Sequence, residues 1–390
     1  MSITPSPTLT IDARAKQLKS DGVDVIGFGA GEPDFDTPEH IRNAAVAAIK
    51  EGFTRYTPAG GIPELKEAIC EKFQRDNNLT YSKEQIVVSN GAKHSLANIF
   101  MAILDAGDEV IIPTPYWVSY PELVKLADGI PVCIEGEQKD GYMLTAALFN
   151  KHLSPRTRAI IVNSPGNPTG LLYTQEELFA IAAFAIKNDL WIISDEIYEK
   201  LIYDDAKHIS IASLSEEIKK RTIIVNGVSK AYAMTGWRIG YTASEPDLAA
   251  AMSRIQSHAT SNPNSIAQKA TLAALRGSQE CVEEMRRVFA ERRAYALGRI
   301  NKMSYLSCGT PEGAFYLFVN AGKACGLSFR GTTITDTDHL AALLLDHYQV
   351  AVVPGRGFGA PEYIRLSYAT SRENIKTGLD RLEAFLKELK

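Results

Sequence analysis

Short apolar runs alternate with helix-forming stretches through the middle of the chain, and this alternation constrains the fold more than any other feature. Each run is shorter than a helix and lacks the polar alternation of a half-exposed strand, so it is typical of a strand buried on both faces. The runs cover residues 86–88, 110–112, 159–162, 190–193 and 222–225. We therefore predict an α/β fold with a doubly wound, mostly parallel sheet.

Helical patterns fill the intervals between these strands. One pattern covers residues 92–104. Another follows Thr174, where Glu177 completes a capping box, and continues to about residue 188.

The two ends of the chain have a different pattern. After the central region come a charged helix, two short strands and an amphipathic helix, which together predict a smaller α+β domain. These elements are expected at residues 282–300, 314–319, 351–353 and 372–389. The proline-rich start and a helix over residues 12–20 are expected to pack on this domain.

Charge and cysteine content exclude several classes of partner. Lys and Arg total 42 and Asp and Glu total 46, so the formal net charge is only −4. Such a charge favours a small-molecule partner over nucleic acid or a membrane. The five cysteines form no Cys-x-x-Cys pair, and neither a signal peptide nor a bilayer-long apolar run is present. We therefore expect a cytoplasmic protein.

Polar clusters follow four of the strands. They cover residues 90–93, 165–170, 195–198 and 229–230. Because ligands in open α/β sheets bind beyond the carboxyl ends of the strands, we expect these clusters to converge on one rim.

Two residues in these clusters suggest a reaction. A lysine becomes nucleophilic when burial or a nearby cation destabilises its charge, and Lys230 lies eight residues before Arg238. A strand-end carboxylate such as Asp195 could keep a pyridine ring protonated, which is what pyridoxal phosphate needs to act as an electron sink.

The chain resembles the class I aminotransferases. Residues 227–240, from Gly-Val-Ser-Lys to Arg-Ile-Gly, resemble the lysine signature of that family. Residues 163–170 and 194–198 are similar to its two other markers, in the same order. The resemblance extends from Gly29 to Tyr368 and is greatest to the bacterial aspartate aminotransferase branch, which carries Tyr-Trp-Val-Ser-Tyr, here residues 116–120.

The resemblance implies how the cofactor, pyridoxal 5′-phosphate, is held. Lys230 forms a Schiff base with it and moves a proton during the reaction. Asp195 pairs with the pyridinium nitrogen, while Tyr198 and Asn167 donate hydrogen bonds to the phenolic oxygen. The other implied contacts are Trp117 against the ring, and Gly91, Ala92, Ser229, Arg238 and Tyr56 of a second subunit around the phosphate.

The resemblance also implies the substrate contacts. Arg365 binds the α-carboxylate through a bidentate fork, beside the backbone of Gly31 and near Trp117 and Asn167. Lys93 is matched to the lysine that binds the distal carboxylate, so aspartate and glutamate are the expected donors. Some relatives that also act on prephenate carry a lysine where this chain has Thr4, which argues against that activity.

The implied architecture is pyridoxal-phosphate fold type I. A large domain is expected over residues 41–280, and a small domain over 1–40 and 281–390. Two active sites are expected at a homodimer interface, each catalysing ping-pong transfer between an amino acid and a 2-oxo acid. No metal is expected, because the histidines lack metal-ligand spacing.

Simpler interpretations exist for several of these residues. Asp195 and Glu196 could cap a helix, which is the interpretation we keep for Glu196. Trp117 could be a packing residue, Tyr56 a plain interface residue and Lys93 a solvated charge.

Other functions also remain open. A C–S lyase or cyclopropane-forming synthase of the same fold would use the same lysine. An aminotransferase that prefers aromatic amino acids, alanine or prephenate is a second alternative. A non-enzymatic regulator that binds pyridoxal phosphate would need a DNA-binding segment, and the chain has no basic patch to supply one.

Overall fold

The computed structural model describes residues 3–5, 7–136 and 146–390. Its strands are β1 (Ile26–Gly27), β2 (Ile86–Ser89), β3 (Glu109–Thr114), β4 (Ile130–Glu135), β5 (Thr157–Asn163), β6 (Trp191–Asp195), β7 (Thr222–Gly227), β8 (Gly240–Ala243), β9 (Ser307–Cys308), β10 (Tyr316–Asn320), β11 (Ser328–Phe329), β12 (Thr332–Thr333), β13 (Val350–Ala351), β14 (Val353–Pro354) and β15 (Tyr363–Ser367).

Helices were predicted over about residues 12–20, 92–104, 174–188, 282–300 and 372–389, and the described residues form these and eight more, thirteen helices in all. They are α1 (Pro7–Ser20), α2 (Glu39–Lys50), α3 (Pro63–Asn77), α4 (Ala92–Ile103), α5 (Ser119–Leu126), α6 (Ala146–His152), α7 (Gln175–Lys187), α8 (Glu216–Arg221), α9 (Pro246–Ala259), α10 (Ser265–Arg276), α11 (Glu280–Ile300), α12 (Thr337–Tyr348) and α13 (Arg372–Lys387). The predicted capping box is present: Thr174 accepts from the amide of Glu177, whose carboxylate accepts from the amide of Thr174.

The central sheet is mostly parallel, as predicted. Its strand order is β2-β8-β7-β6-β5-β3-β4, and only β8 runs antiparallel to its neighbours. Alternate residues of β3 contact different helix layers: Val110 and Ile112 pack with α4 and α5, whereas Ile111 packs with α6 and α7. The sheet is therefore covered on both faces, which explains its unbroken apolar strands.

Two strands of this sheet were not predicted. β4 contains Pro131 and lies at the sheet edge, where a missing backbone donor is tolerated. β8 is four residues long and begins with Gly240, so it has little strand signal. For these reasons neither β4 nor β8 could be recognised as a strand from its amino-acid composition.

The chain ends form a second unit, as predicted. An antiparallel sheet of order β14-β15-β10-β9 packs with α11, α12 and α13, and β1 pairs in parallel with β13. Helix α1 contacts β1, β13 and β14, which confirms the expected packing of the N-terminal helix. The proposed boundary near residue 280 falls at the first residue of α11, and the domain limits stay a prediction.

Several predicted bounds are corrected. The strand predicted from residue 314 begins at Tyr316, because Ala314 has a φ of 57°, outside the strand region. The strand predicted over 351–353 is two short strands, one pairing with β1 and one with β15. Helix α1 begins earlier than predicted, at Pro7, since proline is tolerated in a first turn. Thr4, in the proline-rich start, bonds to the carboxylate of Glu122 in α5 of the large unit.

Two further observations bear on the environment of the chain. Within the described ranges, no helix combines the length and hydropathy that a bilayer span requires. All five cysteines are free thiols.

Candidate active site

The predicted polar clusters meet at one cavity of about 430 Å³. It lies beyond the carboxyl ends of β5, β6 and β7, where open α/β sheets bind ligands. The predicted residues that line it are Gly31, Ala92, Lys93, Trp117, Asn167, Asp195, Tyr198, Ser229, Lys230, Arg238 and Arg365. Asp195 and Lys230 therefore face the same enclosed space.

Lys230 follows the turn that ends β7. Its Nζ lies on the cavity wall and donates to the carbonyl oxygen of Gly31 at 2.5 Å. Burial lowers the pKa of Lys230 to about 8; Glu32 opposes this shift, and Arg365 reinforces it. A share of the side chain is thus an uncharged amine near neutral pH, the form that acts as a nucleophile or base.

Asp195 is the last residue of β6, and its side chain is buried. One carboxylate oxygen accepts from the hydroxyl of Tyr120 at 2.7 Å, and the other accepts from the amide of Ile197 at 3.2 Å. Burial raises the pKa of Asp195 to about 6, while the Tyr120 hydrogen bond acts in the opposite direction. The carboxyl group can therefore exchange a proton near neutral pH.

Asn163 joins two of the predicted residues and was not predicted itself. Its side-chain oxygen accepts from the amide of Asn167 at 2.9 Å, and its nitrogen donates to the carbonyl of Asp195 at 3.0 Å. Asn163 thereby holds the Asn167 loop against the end of β6. Both Asn163 and Tyr120 lie at the ends of quoted family motifs, and that position is the only sequence signal for either.

A glycine turn and the guanidinium of Arg238 meet where α4 begins. Gly91 is the N-cap of α4 with a φ of 90°, and a Cβ there would lie 2.4 Å from Nη2 of Arg238. Gly240 allows β8 to approach the same turn, because its Cβ would lie 2.2 Å from the nitrogen of Ala92. A guanidinium held against a positive helix N-terminus is unfavourable unless an anion lies between them.

The amides at this turn differ from the prediction in one respect. The Gly91 amide donates to the carbonyl of Ser89 at 2.8 Å. The amides of Ala92 and Lys93 belong to the first turn of α4, where amides have no acceptor within the helix. These two amides are the better placed donors for an anion.

Arg365 projects from β15 into the cavity and is buried. Nη1 donates to the side-chain oxygen of Asn167 at 3.1 Å, and Nη2 donates to the carbonyl of Gly29 at 3.0 Å. Nε is buried, and none of the described residues accepts a hydrogen bond from it. A guanidinium buried at the wall of a cavity favours an anionic ligand there, such as a carboxylate.

Tyr198 lies in the turn after β6 and contacts a tyrosine that the sequence did not indicate. The hydroxyls of Tyr198 and Tyr316 are 2.9 Å apart, and both side chains line the cavity. Burial raises the pKa of both phenols, so both are protonated near neutral pH. Tyr316 belongs to no quoted motif, and only tertiary contact brings it here.

Lys93 and Trp117 lie together on another wall. The ammonium of Lys93 is 5.0 Å from the centre of the Trp117 ring. Burial lowers the pKa of Lys93, and Arg238 adds to this shift. Tyr56, by contrast, is 91% exposed, and the described residues that line the cavity do not include it.

The interpretation of Glu196 as a helix cap is wrong. Residues 197–200 form turns, and no helix begins there. The carboxylate of Glu196 is fully buried and accepts from the hydroxyls of Ser194 and Ser210 at 2.8 and 2.7 Å. It therefore links the end of β6 to the segment around Ser210.

Glu196 also belongs to a cluster of metal-ligating residue types. Ligand atoms of Glu196, Glu199 and His208 lie within 4.8 Å of one another. The ammonium of buried Lys72 already pairs with Glu199 and supplies the positive charge. The absence of a metal stays a prediction.

Comparison with known proteins agrees with this geometry. The family model described as aminotransferase class I and II matches residues 23–382. An aspartate aminotransferase of Geobacillus stearothermophilus is 52% identical over 385 residues, which are 99% of this chain and 97% of that protein. An aspartate aminotransferase structure from Rhizobium meliloti has a TM-score of 0.96 at 45% identity, covering 100% of this chain and 98% of that one.

A second solved structure is similar over the same length. The Thermus thermophilus aspartate aminotransferase with maleate has a TM-score of 0.92 at 42% identity, covering 98% of this chain and 97% of that one. These structures confirm the predicted fold-type I architecture. The chain belongs to the class I and II aminotransferases.

Proposed function

We propose that this chain is a pyridoxal-phosphate-dependent aspartate aminotransferase. It would exchange the amino group of aspartate or glutamate with the oxo group of a 2-oxo acid. One observation carries the proposal: an amine with a pKa of about 8, a buried carboxyl with a pKa of about 6 and a buried guanidinium face one cavity. Family membership supports the same cofactor, since these aminotransferases depend on pyridoxal phosphate.

The residues fit the phosphate of the cofactor. The amides of Ala92 and Lys93, the guanidinium of Arg238 and the hydroxyl of Ser229 surround the start of α4, where a dianion would be stabilised. Gly91 would be needed at this turn because any side chain there would collide with Arg238.

The residues also fit the cofactor ring. Asp195 would hold the proton on the pyridine nitrogen, since an opposite charge stabilises both partners. Tyr198 and Asn167 would hydrogen-bond the phenolic oxygen, and Trp117 would lie against the ring face. Lys230 would form the covalent link through Nζ.

Bound pyridoxal phosphate supplies an electron sink that stabilises negative charge at the substrate Cα. Lys230 Nζ takes up and returns the proton that leaves Cα, because an amine with a pKa of about 8 can do both near neutral pH. The guanidinium of Arg365 would orient the α-carboxylate through the N–H groups of Nη1 and Nη2 that Asn167 and Gly29 do not use. Overall, aspartate and 2-oxoglutarate become oxaloacetate and glutamate, with no other reactant.

Lys93 supports the preference for acidic substrates. It lines the same cavity as Arg365, so a dicarboxylate could meet one cation at each end. The neighbour from Thermus thermophilus was solved with maleate, a four-carbon dicarboxylate. We propose that aspartate and glutamate bind between Arg365 and Lys93.

We also propose a homodimer in which Tyr56 enters the partner's cavity. The 91% exposure of this large side chain supports an intermolecular role. A cytoplasmic location is proposed as well, supported by five free thiols in the chain.

A spectral titration of the yellow holoenzyme tests the function. Aspartate, glutamate, alanine and phenylalanine are added in turn while the cofactor absorbance is followed. We expect bleaching at low aspartate or glutamate concentration and recovery on adding 2-oxoglutarate. Production of pyruvate and ammonia without recovery would instead support a lyase.

Lys230→Ala tests the assignment of the lysine. We expect turnover and the absorbance of the covalently held cofactor to disappear. Lys376→Ala, a surface lysine paired with Asp380, is the matched control and should retain both. A Lys230→Ala enzyme that turns over at near wild-type rate without added amine would overturn the assignment.

A further inference from the structure

Tyr316 is a buried phenol in the cavity to which the proposed function gives no role. It is the first residue of β10 and is 1% exposed. Its hydroxyl lies 2.9 Å from that of Tyr198, and either oxygen could be the donor. The direction of this hydrogen bond decides what Tyr316 does.

When the cofactor is bound, the single proton on each phenol fixes the direction of the hydrogen bond between Tyr198 and Tyr316. A phenol carries one proton, and Tyr198 must use its own to donate to the phenolic oxygen of the cofactor. The oxygen of Tyr198 can then only accept from Tyr316. A hydrogen bond received at an oxygen polarises the O–H bond of that group and strengthens the bond it donates.

Arg365 packs against the ring of Tyr316. The guanidinium of Arg365 lies 4.3 Å from the ring centre, and Arg365 is itself bonded to Asn167. β10 and β15 are paired, so the backbones that carry Tyr316 and Arg365 are held together. The hydroxyl of Tyr316 is therefore held in one place.

We propose that Tyr316 is a positioning residue that donates its proton to Tyr198 and so directs and strengthens the hydrogen bond from Tyr198 to the cofactor. This inference rests on the proposed function, because it requires pyridoxal phosphate on Lys230. It differs from a packing role, in which only the ring of Tyr316 would matter.

The pH titration of the bound cofactor absorbance, without substrate, tests the proposal. A donor at the phenolic oxygen favours the form of the cofactor that has lost its proton, so a weaker donor raises the titration midpoint. Tyr316→Phe keeps the ring and removes the hydroxyl. We expect the midpoint to rise by roughly half to one pH unit, the size of one neutral hydrogen bond.

A double-mutant comparison separates action through Tyr198 from a direct effect. In a Tyr198→Phe background, Tyr316→Phe should leave the midpoint unchanged, since the acceptor is missing. Tyr368→Phe is the matched control, because it removes another buried hydroxyl, bonded to the carbonyl of Ala314 at 3.2 Å. It should leave the midpoint at the wild-type value.

A fluorinated tyrosine at position 316 gives a test of opposite sign. Fluorine makes the phenol a stronger donor at nearly the same size, so Tyr316→3-fluorotyrosine should lower the midpoint. This variant also decides the question if Tyr316→Phe fails to fold. A midpoint unchanged by either substitution, or an equal shift in both backgrounds, would overturn the inference.

Failure of the proposed function would look different. In that case the wild-type protein with pyridoxal phosphate would show no titrating absorbance, or Lys230→Ala would retain it. If the wild-type protein titrates and the Tyr316 variants have the same midpoint, the inference about Tyr316 is rejected and the proposed function is not.

Discussion

The hydroxyl of Tyr120 donates to a carboxylate oxygen of Asp195 at 2.7 Å, and both side chains are buried. Burial raises the pKa of Asp195 to about 6, and the hydrogen bond from Tyr120 limits this rise. Without Tyr120, a carboxyl in this place would resist ionisation further. In the proposed function, the tyrosine would therefore help Asp195 to hold a pyridinium proton near neutral pH.

Tyr120→Phe should weaken cofactor binding, and more so at low pH. Loss of the hydrogen bond raises the pKa of Asp195, so less of the carboxyl is ionised at pH 6 than at pH 8. We expect the dissociation constant of pyridoxal phosphate to rise by about three- to tenfold at pH 8. Titration by absorbance measures this, and a smaller loss at pH 6 than at pH 8 would contradict the role of Tyr120.

Tyr81→Phe is the matched control for that experiment. The hydroxyl of Tyr81 is buried and has no hydrogen-bond partner among the described residues. It lies in a different core cluster from Tyr120. Its removal should leave cofactor affinity unchanged.

Asp195→Asn should stabilise the cofactor-free protein at pH 8 while weakening cofactor binding. The folded-state pKa of about 6 exceeds the ordinary aspartate value of 3.8, so ionisation of Asp195 penalises folding as pH rises between these values. The variant escapes this penalty, which we place at roughly 1–3 kcal/mol. Urea unfolding should give a stability difference at pH 8 that disappears near pH 4. An equal difference at both pH values would refute the explanation.

Lys72→Met should destabilise the fold strongly. The ammonium of Lys72 pairs with the carboxylate of Glu199, which also accepts from the side chains of Asn77 and Asn226. Burial alone would raise the pKa of Glu199, but Lys72 and the other donors outweigh it and lower the pKa to about 2. An unpaired buried carboxylate would cost about 3–5 kcal/mol in unfolding free energy.

The pH dependence of this pair has the opposite sign to that of Asp195. The stabilisation by Glu199 is present above its unfolded pKa and is lost as pH falls towards 2, so it should be constant from pH 5 to 8. Chemical denaturation measures the unfolding free energy of Lys72→Met, Glu199→Gln and the double variant. The double variant should lose less stability than the two single variants lose together. Lys376→Met, at an exposed pair, should barely change stability. Strictly additive losses would show that Lys72 and Glu199 do not stabilise each other.

Gly91→Ala should weaken the proposed phosphate site in addition to straining the backbone. Gly91 has a φ of 90°, and the new Cβ would displace the guanidinium of Arg238. Gly326→Ala is matched, with a φ of 89° and no atom within 4 Å of its Cβ position. Both variants should lose about 1–3 kcal/mol of stability from backbone strain.

Only Gly91→Ala should also bind pyridoxal phosphate at least about tenfold more weakly, since charge-assisted hydrogen bonds to the phosphate are lost. Thermal unfolding and cofactor titration measure the two effects separately. Equal cofactor affinity in the two variants would argue against a phosphate at this turn.

Mixing two inactive variants tests whether Tyr56 serves the partner's site. Tyr56→Ala and Lys230→Ala homodimers should both have low activity. In a hybrid dimer, the chain with intact Lys230 would receive Tyr56 from its partner, and one complete site would form. We expect activity to recover after the variants are unfolded and refolded together; no recovery would mean that Tyr56 serves its own chain or neither.

The strand ends and the chemistry placed after them were predictable from sequence. Apolar runs of β3, β5, β6 and β7 are local signals, and the polar residues that follow must lie at one rim because the strands are parallel. This is why Lys230 and Asp195 could be assigned to one site. The family motifs identified the reaction, since strand pattern alone does not.

The partners that tune these residues depended on tertiary structure. Tyr120 lies 75 residues from Asp195, Asn163 lies 32 residues from it, and Tyr316 lies 118 residues from Tyr198. No local pattern marks such pairs. The cap assigned to Glu196 was wrong because the hydroxyls of Ser194 and Ser210 donate to its carboxylate, and Ser210 reaches it only through the fold.

The sequence by itself determined the alternation of buried strands and helices in the central region and the residue types at those strand ends, because these follow from local hydrophobic pattern and turn chemistry. Only the tertiary structure decided which buried charges and phenols meet. Their pKa values and hydrogen bonds follow from burial and from contacts between distant segments, which exist only once the sheet and both helix layers have assembled.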